Sequence, residues 1–390
     1  MRVETAERQS ARRVRLSSGL AHCGSSITIL SHMLPSVPAP LDLPALPPKP
    51  TVGIAITSYN YGRFLAECLD SCLAQTVPAD QIVVVDDGST DETERILQDY
   101  VARFPNIIGI HQTNRGIGGA TNEALANCTA DVVLLLDADD VLAPHRIERI
   151  VQALRKPVDG RMPGWVHHSL LRFSDDKADL GVVPRYAHPA PQGLLTAKVL
   201  AAGCSPVATM TSGLAFRREL LAAMSPLDEA RHMVQDLQLR TAAALLSPLA
   251  WIPEPLTRYR IHGASMTDSW MVKADKIGRA RESHASLDTW VRQVLDRHAA
   301  GASSSLPSLD EQPGYLWLCF LHGWLSGKRR DYGLLRKVLN HPDTQRSSAQ
   351  MRAYYRSGMF LPRSWFVASS KLIFGVSPLK TFLRKTLGRA

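Results

Sequence analysis

The sequence predicts an α/β fold built on a mainly parallel sheet with helices on both faces, and three observations carry that expectation. Apolar, β-rich runs alternate four times with helix-length stretches between residues 51 and 154. The runs are continuously apolar, the pattern of strands covered on both sides. Two of them stop at acidic clusters, Asp86-Asp87 and Asp137-Ala138-Asp139-Asp140. A β-α-β-α order of this kind implies right-handed crossovers between parallel neighbours. With 390 residues, 45% hydrophobic and 21% charged, the chain has globular composition and is long enough for one large domain or two smaller ones.

Residues 1–50 come first and are expected to be a disordered, Pro-rich extension. Arg12, Arg13 and Arg15 precede a short apolar run at Ile27–Leu30 with little of the character of a secretory signal. Seven prolines fall within residues 34–50 and favour an extended linker. The organised region starts at Thr51. Val52–Thr57 reads as the first strand, ending in the turn residues Ser58, Asn60 and Gly62. A helix from about Arg63 to Gln75 carries Phe64, Leu65, Cys68, Leu69, Cys72 and Leu73 on one stripe, which makes the two cysteines core residues rather than a metal pair.

Ile82–Val85 is the second strand, and Ser89 or Asp91 can cap the helix that follows, with Glu92 and Glu94 in its first turn. Ile107–His111 reads as the third strand, followed by a helix from about Gly119 to Asn127. Val132–Leu136 is the fourth, and Pro144 suits the start of a helix reaching about Leu154.

Ligands of open parallel sheets bind beyond the carboxyl ends of the strands, where both acidic clusters lie. Asp137 and Asp139 are two apart, so on an extended chain their carboxylates point the same way. Two convergent carboxylates repel unless a cation sits between them or one is protonated. Hard oxygen ligands suit Mg²⁺ or Mn²⁺. The plainer reading, a helix cap or a solvated side chain, suffices for Asp140. It does not account for two clusters at two strand ends.

Thr57-Ser-Tyr-Asn-Tyr-Gly-Arg-Phe-Leu, Val85-Asp-Asp-Gly-Ser-Thr-Asp, Asn114-Arg-Gly-Ile-Gly-Gly-Ala-Thr-Asn and Leu136-Asp-Ala-Asp-Asp together resemble, in wording, order and spacing, the nucleotide-binding half of a family 2 glycosyltransferase of GT-A fold. The resemblance is close over Thr51–Leu154 and looser to Thr267. It implies a Rossmann-like GT-A domain at 51–267, with a nucleotide-binding half (51–154) and an acceptor half (155–267). It also implies inverting transfer of a hexosyl-type sugar from a nucleoside diphosphate-sugar, UDP-type favoured, to a hydroxyl of a glycan or lipid-linked acceptor in cell-envelope or exported polysaccharide synthesis.

Carried over residue by residue, Asp137 and Asp139 match the metal-binding Asp-x-Asp motif, with Asp137 also facing the donor. Thr57, Tyr59, Asp86 and Asp87 match positions that hold base and ribose, and Arg115 and Gly116 match the loop over the donor. Ser212-Gly-Leu-Ala-Phe-Arg-Arg resembles the acceptor-side segment ahead of the catalytic carboxylate, and Gln235-Asp236 stands where the family carries Glu-Asp. Asp236 is thus the candidate general base, though it is also placed as an ordinary first-turn helix residue. His262, in Tyr259-Arg-Ile-His-Gly-Ala-Ser-Met-Thr, is expected at the diphosphate or the metal, or in a structural role.

Two other classes are carried beside this one: a nucleotidyltransferase on a similar sheet, and a non-catalytic nucleotide-sugar-binding module. The first usually has an early Gly-rich basic loop, absent after Val52–Thr57; the intact acidic pairs argue against the second. Gly116-Ile-Gly-Gly lacks the spacing of a dinucleotide fingerprint.

Residues 268–390 read as a helical, basic C-terminal appendage. Residues 1–270 hold 25 Lys/Arg and 28 Asp/Glu, whereas 271–390 hold 20 and 8. A basic excess confined to one end argues against a nucleic-acid-binding core. After Asp343 there are nine Lys/Arg and no acid, interleaved with Trp365, Phe366, Leu372, Phe374, Phe382 and Leu383. Such a tail suits peripheral contact of 344–390 with an anionic membrane, or a basic face packed on the enzyme. Cys23, Cys68, Cys72, Cys128, Cys204 and Cys319 form no scaffold or zinc spacing. With no run long enough to span a bilayer, a cytoplasmic location is expected, peripheral to the membrane's inner face.

Overall fold

The computed structural model describes residues 39–184, 186, 190–230, 235–262 and 272–374. The expectations for residues 1–38, for 263–271 and for the end of the tail, including Leu372, Phe374, Phe382 and Leu383, lie outside the described residues and side chains. The described residues form one compact unit.

Among the described residues, nine strands make one sheet in the order β3-β2-β1-β4-β8-β6-β9-β5, with β7 on β6. They are β1 (Val52–Ser58), β2 (Gln81–Asp86), β3 (Ile107–His111), β4 (Val132–Asp137), β5 (Val141–Leu142), β6 (Trp165–Ser174), β7 (Asp179–Val183), β8 (Leu214–Arg217) and β9 (Leu249–Ile261). The first four run parallel, as the sequence predicts. Strand β8 is antiparallel to both β4 and β6, and β6 runs parallel to β9.

Each central strand feeds two cores. In β2, Val83 and Val85 face one cluster while Ile82 and Val84 face the other; in β4, Val133 and Leu135 oppose Leu134 and Leu136. That is why these runs are apolar at every position. Helices α1 (Gly62–Leu73), α2 (Thr93–Arg103) and α4 (Arg146–Leu154) cover one face. Covering the other are α3 (Gly116–Asn127), α5 (Thr196–Ala202), α6 (Arg218–Met224) and α7 (Gln235–Leu246). Cys68 and Cys72 are buried on α1, in the apolar stripe expected of them.

The C-terminal region is helical. Helix α8 (Ala274–His298) sends Leu287, Trp290, Val291, Val294 and Leu295 into the sheet's second core. Helices α9 (Pro313–Leu325), α10 (Tyr332–Asn340), α11 (Pro342–Arg346), α12 (Ala349–Phe360) and α13 (Arg363–Phe374) follow. They enclose a separate aromatic core of Trp317, Phe320, Trp324, Tyr354 and Phe366.

Three expectations change. Residues 39–50 are not a disordered linker: Leu43 and Leu46 are buried, and Leu41 N donates to Leu246 O at 2.8 Å. Prolines have no N–H to satisfy, and their carbonyls accept from Arg217 (Pro44) and Arg155 (Pro47 and Pro48). Helix α3 begins at Gly116, so that glycine is part of a helix start rather than a loop. Phe366 is fully buried, so it is no surface aromatic of the tail; Trp365, about 100° round the same helix, is 69% exposed.

Candidate active site

Strand register builds the site. Thr57 pairs with Asp137 on β4 and with Val85 on β2, and Ser58 pairs with Asp86, so the two acidic clusters end beside β1. A cavity of about 480 Å³ opens there. Among its lining residues are Thr57, Tyr59, Asp87, Gly116, Asp137, Asp139 and Asp236, which the sequence singles out. Tyr61, Asn114, Gln235 and Tyr259 join them from the same motifs without an assigned role, and Met210 and Thr211 join them from outside any motif.

Asp86 is outside the lining. Fully buried, it accepts the Ser89 N–H at 3.0 Å and the Ser89 hydroxyl, and faces His111 Nδ1 at 3.0 Å. It locks the turn that carries Asp87. The Asp87 carboxylate accepts Gln112 Nε2 at 2.6 Å, Arg115 N at 2.8 Å and Gly116 N at 2.9 Å. A carboxylate on the first amides of α3 suits the positive end of the helix. Gly88 and Gly116 both have positive φ, and a Cβ on Gly88 would stand 2.9 Å from Asn114 N. The Arg115 guanidinium points elsewhere, to Glu229 at 2.6 Å and Glu123 at 3.7 Å.

The acidic end of β4 is electrostatically loaded. Burial pushes the Asp137 carboxyl up to about 8, and the charges of Asp139 and then Asp236 add to the rise. Asp140 is held well above the carboxylate range by burial and by Asp139 and Asp137. Asp140 is neither solvated nor a mere cap, because its Oδ1 accepts Arg260 N at 2.8 Å and ties the turn after β4 to β9. Burial and the same three aspartates raise the Tyr61 phenol to about 12.

His262 lies behind Asp139, its Nε2 2.9 Å from Oδ2, with Arg63 Nη2 3.3 Å from its Nδ1. With Arg63 donating to Nδ1, a neutral ring carries its proton on Nε2 and donates to Asp139. Arg260 donates to Asp139 O at 2.8 Å and pairs with Glu67. Arg146, fully buried, donates to Leu135 O and Leu214 O; burial lowers it to about 10 while Asp140 and the neighbouring thiols oppose that.

Asp236 sits in the first turn of α7. Burial raises its carboxyl, against the pull of Arg240, and Oδ1 has no hydrogen-bond partner among the described residues. Asp236 thus stands at a helix start and lines the cavity. Gln235 donates to Thr211 Oγ1 at 3.1 Å on the same wall.

With this geometry in view, likeness to known proteins decides the family. The Glycosyl transferase family 2 profile matches residues 53–218. The glycosyltransferase alr2836 of Nostoc sp. is 31% identical over 324 residues, 80% of this chain and 97% of that one.

The chain belongs to glycosyltransferase family 2.

Chondroitin synthase of Escherichia coli is 40% identical over 107 residues, 27% of this chain and 16% of that one. Among solved structures, TarS of S. aureus in complex with UDP-GlcNAc superposes with a TM-score of 0.50 at 17% identity, over 82% of this chain and 89% of the other. This likeness bears on the fold, which is GT-A in type with a helical C-terminal region.

Among the described residues of this family 2 glycosyltransferase, no three His, Cys, Asp or Glu side chains form a ready-made metal shell. The loaded carboxylates nevertheless fit a hard divalent cation that takes its remaining oxygens from water and substrate. A cation there would relieve the repulsion that raises Asp137. Tyr61 lies inside the Thr57–Leu65 motif without an assigned role, no local pattern marks Thr211, and Tyr259 opens the His262 motif without an assigned role. They reach the cavity from a turn, a 3-10 segment and the far strand β9.

Proposed function

We propose that this glycosyltransferase moves a sugar from a nucleoside diphosphate-sugar to a hydroxyl of a glycan or lipid-linked acceptor, with inversion, in cell-envelope or exported polysaccharide synthesis. One observation carries the reading: Asp137, Asp139 and Asp236 face a single cavity that Thr57 and Asp87 also line. Thr57, Tyr59 and Asp87 hold base and ribose from the β1–β2 side, with Asp86 fixing the Asp87 turn. Gly116 lets the backbone at the start of α3 approach the donor. Arg115 holds that start in place, through its N–H on Asp87 and its ion pair with Glu229.

Asp137 and Asp139 would hold Mg²⁺ or Mn²⁺, with His262 orienting Asp139 or joining the ligands. Bound there, the ion would neutralise the charge that develops on the departing diphosphate. Asp236 accepts the acceptor's hydroxyl proton as its oxygen attacks the anomeric carbon from the opposite face. Its burial keeps water from screening it, and its raised pKa makes it a better proton acceptor. A single displacement needs no covalent nucleophile.

A UDP-type donor is the first to test, since the TarS structure that shares the fold was solved with UDP-GlcNAc. Thermal shift with UDP, GDP and their sugars, each with Mn²⁺, is the test. A metal-dependent shift with one nucleotide supports the reading. No shift with any of them removes it.

We also propose peripheral membrane contact through 344–390, at the cytoplasmic face. Among the described residues, no helix is long and apolar enough to cross a membrane. Phe360 and Trp365, 74% and 69% exposed, flank the turn between α12 and α13, beside the exposed Arg356 and Arg363. That corner combines insertable rings with positive charge.

A further inference from the structure

Between α6 and α7 the chain passes through Pro226–Ala230 before reaching Asp236, and two side-chain amides grip it from opposite sides. Asn122 on α3 takes Leu227: Leu227 N donates to its Oδ1 at 2.8 Å, and its Nδ2 donates back to Leu227 O at 3.0 Å. Gln238 on α7 takes the next residue in the same way. Asp228 N donates to its Oε1 at 2.8 Å, and its Nε2 donates to Asp228 O at 3.1 Å. Glu229 then reaches back to α3, accepting from Asn122 Nδ2 at 2.9 Å and Arg115 Nη2 at 2.6 Å.

Leu227 is buried, so its N–H and carbonyl are left unsatisfied if the Asn122 amide is lost, and Gln238 is fully buried while its partner Asp228 is half-buried. Gly118 permits the approach: a Cβ there would lie 3.0 Å from Asp228 O and 3.1 Å from Glu229 Cα.

The gripped segment joins two cavity walls. Helix α3 presents Gly116, Ile117 and Ala120 to the cavity, and α7 presents Asp236. We propose that Asn122 and Gln238 are positioning residues, whose amides tie the donor-side helix to the helix that bears the general base. They thereby set the distance of Asp236 from the donor. The proposal rests on the reading of Asp236 as the base. A displacement of about 1 Å at a reacting group can cost about 100-fold in rate.

Asn122→Asp and Gln238→Glu keep shape but replace an amide donor with a carboxylate facing a backbone carbonyl. Three quantities are read: melting temperature, UDP affinity with Mn²⁺ by calorimetry, and nucleoside diphosphate release from UDP-GlcNAc, UDP-glucose and GDP-mannose. Expected are UDP affinity and donor KM within about twofold of wild type, with kcat lower by about 10- to 100-fold.

If Asn122→Asp fails to fold, Gly118→Ala displaces the same segment while leaving both amides in place. Unchanged kcat, or a fall in kcat that only parallels lost affinity or melting, overturns the proposal. Asp236→Asn serves as the control. If it keeps near-normal turnover, the base assignment fails; if it is inactive while the amide variants turn over normally, the tie alone fails.

Discussion

The two walls of the cavity are held by different means. On the donor wall, Thr57, Asp87 and Asp137 stand at or just beyond the ends of hydrogen-bonded parallel strands, whose register fixes their spacing. On the opposite wall, Asp236 opens a helix whose connection to the donor side runs through a few side-chain bonds. A ladder is redundant, since many backbone bonds hold each strand end. A side-chain tie is not, because losing one amide removes both of the bonds it makes to the segment. The donor wall should therefore tolerate change except at the groups that touch ligand, while the acceptor wall should be sensitive well away from the chemistry.

The largest effect expected is on the donor wall. Asp139→Ala should abolish transfer and Mn²⁺-dependent UDP binding while the protein still melts cooperatively, because the residue lies in the turn just beyond β4, whose ladder is untouched. Calorimetry with UDP and Mn²⁺ checks it. Binding equal to wild type would remove Asp139 from the metal site. The contrast with the other wall comes next. Asp236→Asn should lower turnover by about 10²–10⁴-fold and leave UDP affinity intact. A parallel loss of both would mean that Asp236 serves donor binding instead.

A third test compares the two neighbours in α13. Phe366→Ala, in the aromatic core, should destabilise the helical cap by about 3–5 kcal/mol, seen in urea unfolding. Trp365→Ser should leave the unfolding midpoint in place and reduce pelleting on anionic vesicles at low salt. Equal pelleting of Trp365→Ser and wild type, on anionic and neutral vesicles alike, would sink the membrane reading.

The smallest effect concerns acid. His167 and His168 are buried side by side in β6, and burial lowers His167 to about 3 and His168 well below the ordinary imidazole value. Both are neutral in the fold, whereas in the unfolded chain they titrate near pH 6.5. Their contribution to stability is complete above about 6.5 and is lost as pH falls toward 3, since the unfolded chain then binds more protons. His167→Phe should flatten the fall in melting temperature between pH 6.5 and 4. Parallel curves for variant and wild type would show that His167 plays no part in it.

Much of the donor half could be read in advance because its determinants are local. Continuous apolar runs such as Ile82–Val85 and Val132–Leu136 exist because each strand is covered on both faces, and the acidic motifs lie directly at their ends. The second half hides its architecture. Strand β9 contains Pro253 and Pro255, which would ordinarily argue against a strand inside a sheet. It forms because the β6–β9 register shifts around Ser169, which pairs with Pro255, so the missing N–H falls at an irregularity. Residues 39–50 misled for a related reason: their prolines exclude helix, but nothing local shows that Leu43 and Leu46 meet a core.

By itself the sequence determined the four parallel strands of the first half, their helices and the carboxylates at the strand ends, because periodicity and strand-end motifs are properties of consecutive residues. Only the tertiary structure decided that Asp236 shares a cavity with Asp137 and Asp139, some hundred residues away. It alone decided that Asp86 and Arg115 turn from the cavity toward Ser89 and Glu229, and that Phe366 is core while Trp365 is surface. Those outcomes depend on which distant groups remain unsatisfied once strands and helices are packed. A buried carboxylate must find its partner wherever the fold supplies one, and the exposed Arg115 guanidinium pairs with the carboxylates beside it.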